Sequence, residues 1–326
     1  MIKVGKTNDC DAVTISEAIM KAKEQDDKNI YITNGIYEEK IVLDVADITI
    51  CGEDKDKTII TFGDYAKKKD EDGIDYGTFR TATFRIDADN VKLKNLTITN
   101  SSGNGRDFGQ AVALYADGNN IKVEDCKMIA CQDTLFTAPL PPKKPGVGTN
   151  GKGPKAECER KNGDQFYINC YIEGDIDFIF GGARAYFYNC TIFSKNNITE
   201  EDGKNGDNII KGFVAAPCTP QNEEIGYVFD NCSFESDNDK ETVYLARPWR
   251  EFAKVVVVNS VLGEHIKQCG WHDWNKKEAH DTIYFAEYNN TTKDSKPVDM
   301  SLREDYVKEL SKSDADKLIM YFRDKM

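Results

Sequence analysis

Histidine is scarce in this chain. Only three occur, His265, His272 and His280, all late and without a thiol pair to partner them. None of the ten cysteines forms a CxxC pair, so a structural zinc site is not expected. No run approaches the ~18 apolar residues of a membrane-spanning helix. A Gly-x-Ser-x-Gly elbow, a phosphate loop and a dinucleotide fingerprint are all missing, which removes the commonest serine-hydrolase, nucleotide-hydrolase and dehydrogenase sites. Positive charge is in the minority, with 43 Lys and Arg against 56 Asp and Glu. The resulting net charge of −13 is spread over short stretches and argues against nucleic-acid or membrane-surface partners. The first residues, MIKVGKTNDCDAV, lack the basic stretch and apolar core of a signal peptide. The expected location is therefore cytoplasmic as the chain is written, or secreted if a leader was trimmed.

What is present is a repeat. The segments beginning at Asn95, Asp125, Asn169, Asn189, Asn231 and Asn259 align, with Leu96, Cys126, Cys170, Cys190, Cys232 and Ser260 in the second position. Three residues earlier stand Leu93, Val123, Tyr167, Phe187, Phe229 and Val257, and two later stand Ile98, Met128, Ile172, Ile192, Phe234 and Leu262. Both columns are apolar throughout. The shortest unit, Cys170 to Cys190, takes about twenty residues, too few to bury its own faces, so the units must stack. That describes an all-β fold, a parallel β-helix solenoid occupying residues 1–326 as one domain. The cysteine column is read as reduced core packing. Val13, Ile15, Ala18, Ile19 and Ala22 give helical spacing near the start, with Thr14 or Ser16 as caps. Residues 313–326 predict a C-terminal helix covering an end of the solenoid. The Pro- and Gly-rich, locally basic stretch 138–163 reads as an inserted loop.

Two copies of the repeat carry an aspartate seven residues past the cysteine, Asp133 and Asp177. On neighbouring rungs these would lie ~5 Å apart, close enough for their ionisations to oppose one another. That separation is what an acid and nucleophile pair requires. Gln110 and Gln132, about one coil apart, offer amide N–H groups for an oxyanion. Arg247 offers a charge-assisted partner for one aspartate. Trp249 and Trp271 offer flat faces for a sugar ring. Taken singly, each of these residues also fits a structural ion pair or a core aromatic.

The motifs Gln110-Ala-Val-Ala-Leu114, Gln132-Asp-Thr-Leu135, Asp177-Phe-Ile-Phe-Gly181, Leu245-Ala-Arg-Pro-Trp249 and Gly270-Trp-His-Asp-Trp274 stand in this order, and together the chain resembles the pectin methylesterases over roughly residues 10 to 290. The resemblance implies a right-handed parallel β-helix and hydrolysis of galacturonate methyl esters with no metal or other cofactor. It implies Asp177 as nucleophile, Asp133 as acid then base, Gln110 and Gln132 at the oxyanion, and Arg247 orienting Asp177. Trp249, Phe178, Trp271 and Thr81 are the candidate substrate-binding residues. The expected partner is methylated homogalacturonan or its oligogalacturonides, and a monomer is expected. Three departures stand out: Ala246 where the family usually has Gly, Asp175 where it has a small residue, and the 138–163 insertion. Asp175 is expected to disfavour de-esterified sugars near the pair. A β-helix pectate lyase, a polygalacturonase, or a carbohydrate-binding solenoid without activity remain alternatives.

Overall fold

A residue with positive φ precedes each buried position of the repeat. Asn95, Asp125, Asn169, Asn189, Asn231, Asn259 and Asn289 all have φ between 51° and 56°. Asn and Asp tolerate this left-handed conformation because their short side chains bond locally. Here they also bond to one another: Asn189 Nδ2 donates to Asn169 Oδ1 at 2.8 Å, and Asn289 Nδ2 to Asn259 Oδ1 at 2.9 Å. Each turn separates two strands, as between Val91–Lys94 and Thr97–Asn100. The turn thus sends the chain from one sheet to the next.

The computed structural model describes residues 1–141, 153–197 and 210–326. Among these, three sheets of eleven, seven and nine strands run the length of the fold, and every strand pairing within them is parallel. The architecture is an all-β parallel β-helix. The sequence columns are ladders in the register: Leu93 pairs with Val123, Val123 with Tyr167, Tyr167 with Phe187, and Phe187 with Phe229. Tyr167, Phe187 and Phe229 stack at 4.8 and 4.5 Å between centroids. Burial pushes the thiols of Cys126, Cys170 and Cys190 well above the ordinary cysteine range, so they stay protonated. All ten cysteines are free. A seventh copy, Asn289-Asn290-Thr291-Thr292, continues the stack, and polar Glu287 and Thr292 at the two otherwise apolar columns hide it in the sequence.

Helix α1 (Ile15–Glu24) is capped by Thr14 and buries Ile15, Ala18, Ile19 and Ala22 over the first turn. Val13 is 61% exposed and lies outside that face. Helix α3 (Lys312–Arg323) starts at an Ser311 cap, and it corrects the expected placement at a solenoid end. Its Ala315, Ile319 and Phe322 pack instead on the outer face of the eleven-stranded sheet, against Phe166, Tyr186 and Val228. The reason is an outward apolar column on that sheet, Phe166–Tyr186–Val228–Val256–Ala286, which needs a cover. Of the 138–163 insertion, residues 142–152 lie outside the described residues, with Lys143, Lys144 and Lys152 among them. Lys155 pairs with Asp87 and Asp117 at 3.4 and 3.3 Å, and Arg160 bonds the carbonyls of Lys155 and Ala156.

Candidate active site

The seven-stranded sheet carries the site. Its strands follow one another as Ile41–Leu43, Phe84–Ile86, Leu114–Ala116, Leu135–Thr137, Ile176–Gly181, Gly212–Pro217 and Val243–Ala246. Leu135 pairs with Ile179, so Asp133 and Asp177, each two residues earlier, share a register position on adjacent rungs. Both have positive φ, 66° and 52°, which lifts them out of the regular pleat. Both are buried, at 8% exposure. Gln110 and Gln132 sit on neighbouring rungs, since Ala111 N donates to Gln132 O at 3.0 Å. Both glutamines are half-buried. Gln132 lies against Gly105 at the start of a short helix, α2 (Gly105–Phe108). A Cβ at Gly105 would come within 2.6 Å of Gln132 Oε1.

Arg247 follows the last strand of the sheet yet reaches Asp177 two strands away. Its Nε donates to Asp177 Oδ1 at 2.8 Å and its Nη2 to Oδ2 at 2.7 Å. The guanidinium crosses the intervening strand by lying flat on Phe213, with Cζ 3.8 Å from that ring's centroid. Trp274 covers it from the other side, also at 3.8 Å. Such a sandwich removes water from the fork and fixes its plane. Lys276 in turn sits on Trp274 and donates to the carbonyls of Pro248 and Trp249 at 2.6 and 3.0 Å. Neither Phe213, Trp274 nor Lys276 was singled out from sequence. Only the second tryptophan of the Gly270–Trp274 motif could have been suspected.

Burial pushes the carboxyls of both aspartates above the ordinary range, but unequally. Asp133 is raised well above it by desolvation and by the charge of Asp177, with Arg247 acting the other way. For Asp177, burial is opposed by the two Arg247 bonds, by its charge and by Lys276. The pair therefore gives up its first proton at Asp177 and keeps one at Asp133.

The other predicted residues divide. Trp249 is half-buried and stacks on Phe79 at 6.4 Å, forming an aromatic wall with Phe180 beside the pair. Phe178, Trp271 and Thr81 are 0% exposed and present no face to a sugar, so they are corrected to structural residues. Phe178 points into the solenoid core. Trp271 is stacked on Phe285 and donates from Nε1 to the buried Glu287 at 2.8 Å. Thr81 Oγ1 donates to Thr78 O at 2.7 Å and accepts from Val112 N at 2.9 Å, tying two rungs together. Ala246 is buried inside, so its methyl stays away from the site. Asp175 is also buried, accepting from Ile176 N at 2.6 Å, and it does not face a sugar as expected. Its charge instead helps to raise Asp133.

A family model described as Pectinesterase matches residues 1–140 and 160–319. The chain belongs to the pectinesterase family. Among similar family members, a probable pectinesterase/pectinesterase inhibitor 12 of Arabidopsis thaliana is 32% identical over 87% of this chain and 47% of its own length. Pectinesterase/pectinesterase inhibitor U1 of Solanum lycopersicum is 31% identical over 86% of this chain and 43% of its own length. This pectinesterase-family chain thus spans about half the length of the curated relatives it matches. Its fold is similar to that of a pectin methylesterase from carrot, with a TM-score of 0.75 and 27% identity over 97% of this chain and 89% of that one. The Aspergillus niger pectin methylesterase is similar too, with a TM-score of 0.72 and 28% identity over 95% and 90% of the two chains.

Proposed function

We propose that this protein is a pectin methylesterase, which hydrolyses the C6 methyl esters of galacturonate in methylated homogalacturonan or its oligosaccharides to free carboxylate and methanol. The carrying observation is the asymmetry of the aspartate pair, one carboxylate gripped by a guanidinium and its neighbour buried without such a grip. Ionised Asp177 attacks the ester carbonyl and forms a tetrahedral intermediate. The amides of Gln110 and Gln132 stabilise the oxyanion. Collapse breaks the ester C–O bond as Asp133 passes its proton to departing methanol, leaving an acyl anhydride on Asp177. Asp133, now a carboxylate, takes a proton from water, which attacks the anhydride and regenerates both groups. The Phe79–Trp249 wall holds the sugar ring. In support, two solved structures of similar fold are pectin methylesterases with a bound hexasaccharide.

The test is incubation with highly methylated pectin, measuring methanol, reducing ends and unsaturated product together. Methanol alone is expected. Reducing ends or unsaturation without methanol would replace this reading by a galacturonanase or a lyase.

Two further results are expected. Gly105→Ala pushes on Gln132, and kcat should fall roughly tenfold, less than the ~10²-fold or more that follows removal of an oxyanion donor. Methanol release alongside an unchanged melting temperature checks it. Arg247→Lys loses the fork and its flat seat between Phe213 and Trp274, and kcat/KM is expected to drop by about 10²-fold. Asp177 then keeps the upward push of burial with less to oppose it, so the acid limb of the kcat/KM profile should move to higher pH. An acid limb that stays in place would show that Arg247 does not set the ionisation of Asp177.

A further inference from the structure

The outward column of the seven-stranded sheet changes chemistry along its length. Its residues pair as Ala216–Phe180–Phe136–Tyr115–Arg85–Val42. The first four lie under the aromatic cover that includes Phe79 and Trp249. At Arg85 and Val42 the cover ends, and Val42 is 43% exposed. A cavity of about 280 Å³ opens there, with Lys40, Val42, Tyr76, Phe79, Arg80 and Arg85 among its walls.

Three of those residues are cationic, and among the described residues no carboxylate lines the cavity, in a protein whose net charge is −13. The acidic partners stand behind the walls. Lys40 bonds Asp64 and Tyr76 Oη, Arg80 Nη2 donates to Asp70 at 3.1 Å, and Arg85 Nη2 pairs with Asp87 at 2.9 Å. Arg80 lies on the ring of Tyr76, with Cζ 4.3 Å from the centroid. Arg85 Nε is buried and has no partner among the described residues. A buried donor in that state favours an acceptor that enters the cavity.

Phe79 links this cavity to the site, because the same ring that walls it also stacks on Trp249 and meets Phe136 edge to face, the latter at 5.1 Å. From the strand after Asp133 to the strand of Val42 is three rungs, or ~14 Å at ~4.8 Å per rung. That is the reach of a few sugar residues along a bound chain.

We propose that this cavity is a distal subsite for a galacturonate residue whose carboxylate is already free, held by Arg85 and Arg80 beside the rings of Tyr76 and Phe79. It rests on the esterase reading for its substrate class. A planar guanidinium fork matches a carboxylate and has no comparable attraction for its methyl ester. Chains that carry free residues on that side bind more tightly than fully esterified ones.

The test uses the full chain and two probes. Unesterified oligogalacturonate, which has no ester to cleave, is titrated by calorimetry. The ratio of kcat/KM on partly de-esterified to fully esterified oligomers is measured by methanol release. Arg85→Gln and Val42→Glu are each expected to weaken oligogalacturonate binding roughly tenfold and to lower the ratio by a similar factor, while Val42→Lys raises both. Added salt should weaken wild-type binding to the unesterified probe. Exposed Val42 keeps the test alive if Arg85→Gln does not fold. Unchanged binding and ratio in Val42→Glu would overturn the subsite, as would equal losses on esterified and unesterified oligomers. A wild-type protein that releases no methanol from any substrate overturns the esterase reading, whereas the calorimetry still reads the cavity.

Discussion

Asp177→Asn is expected to reduce methanol release from methylated pectin by about 10⁴-fold or more, the usual scale for loss of a nucleophile. An amide has no anionic oxygen to attack the ester. The fold should survive. Asn keeps one acceptor for Arg247, and the substitution takes a charge out of a buried position, so the lost pairing and the relieved desolvation offset one another. The ladders of the three sheets do not pass through the Asp177 side chain. Circular dichroism and a melting curve close to wild type, beside vanishing methanol, are the expected result. Release within tenfold of wild type would move the nucleophile elsewhere in the site.

Asp133→Asn is expected to do two things at once. Turnover should fall by about 10²- to 10⁴-fold, because methanol then departs without a proton donor and water without a base. Stability should rise, with a defined pH dependence. In the folded protein the Asp133 carboxyl is raised well above its ordinary range by burial and by Asp177. Above pH ~4 the unfolded chain has given up this proton while the folded protein still holds it. The folded state therefore binds more protons, and the stability this group contributes is full at low pH and is lost as pH rises through its folded pKa. Asn does not titrate. The variant's advantage in Tm should open above pH ~4, grow as the pH rises towards neutrality, and vanish in acid. An advantage constant with pH would mean that Asp133 is not the proton holder. Function and stability oppose one another at this position, as at many sites built on a buried ionisable group.

The fold was legible because a stacked solenoid writes its register into the sequence. Positions such as Val123, Tyr167 and Phe187 recur with the same neighbours, since each must fill the same layer of the interior. The Asp133 and Asp177 offset was legible for the same reason. Where the ladder is irregular, reading by pattern failed. Phe178 follows a residue with positive φ, and that turn of the backbone sends its ring inward. Of two tryptophans three residues apart, Trp271 goes to the core and Trp274 to the guanidinium, a choice made by the loop they share. Phe213 and Lys276 belong to no repeated motif.

By itself the sequence determined the stack, its two apolar columns, the asparagine turns and the pairing of the two aspartates, because these depend on short, repeated local spacings. Tertiary structure alone decided which carboxyl keeps the proton. That difference arises from an arginine 70 residues from Asp177, laid across an intervening strand between two rings. It also decided that Lys40, Arg80 and Arg85 share one cavity, and that α3 lies along a sheet instead of closing an end. Desolvation and charge act through space, and only the folded chain sets those distances.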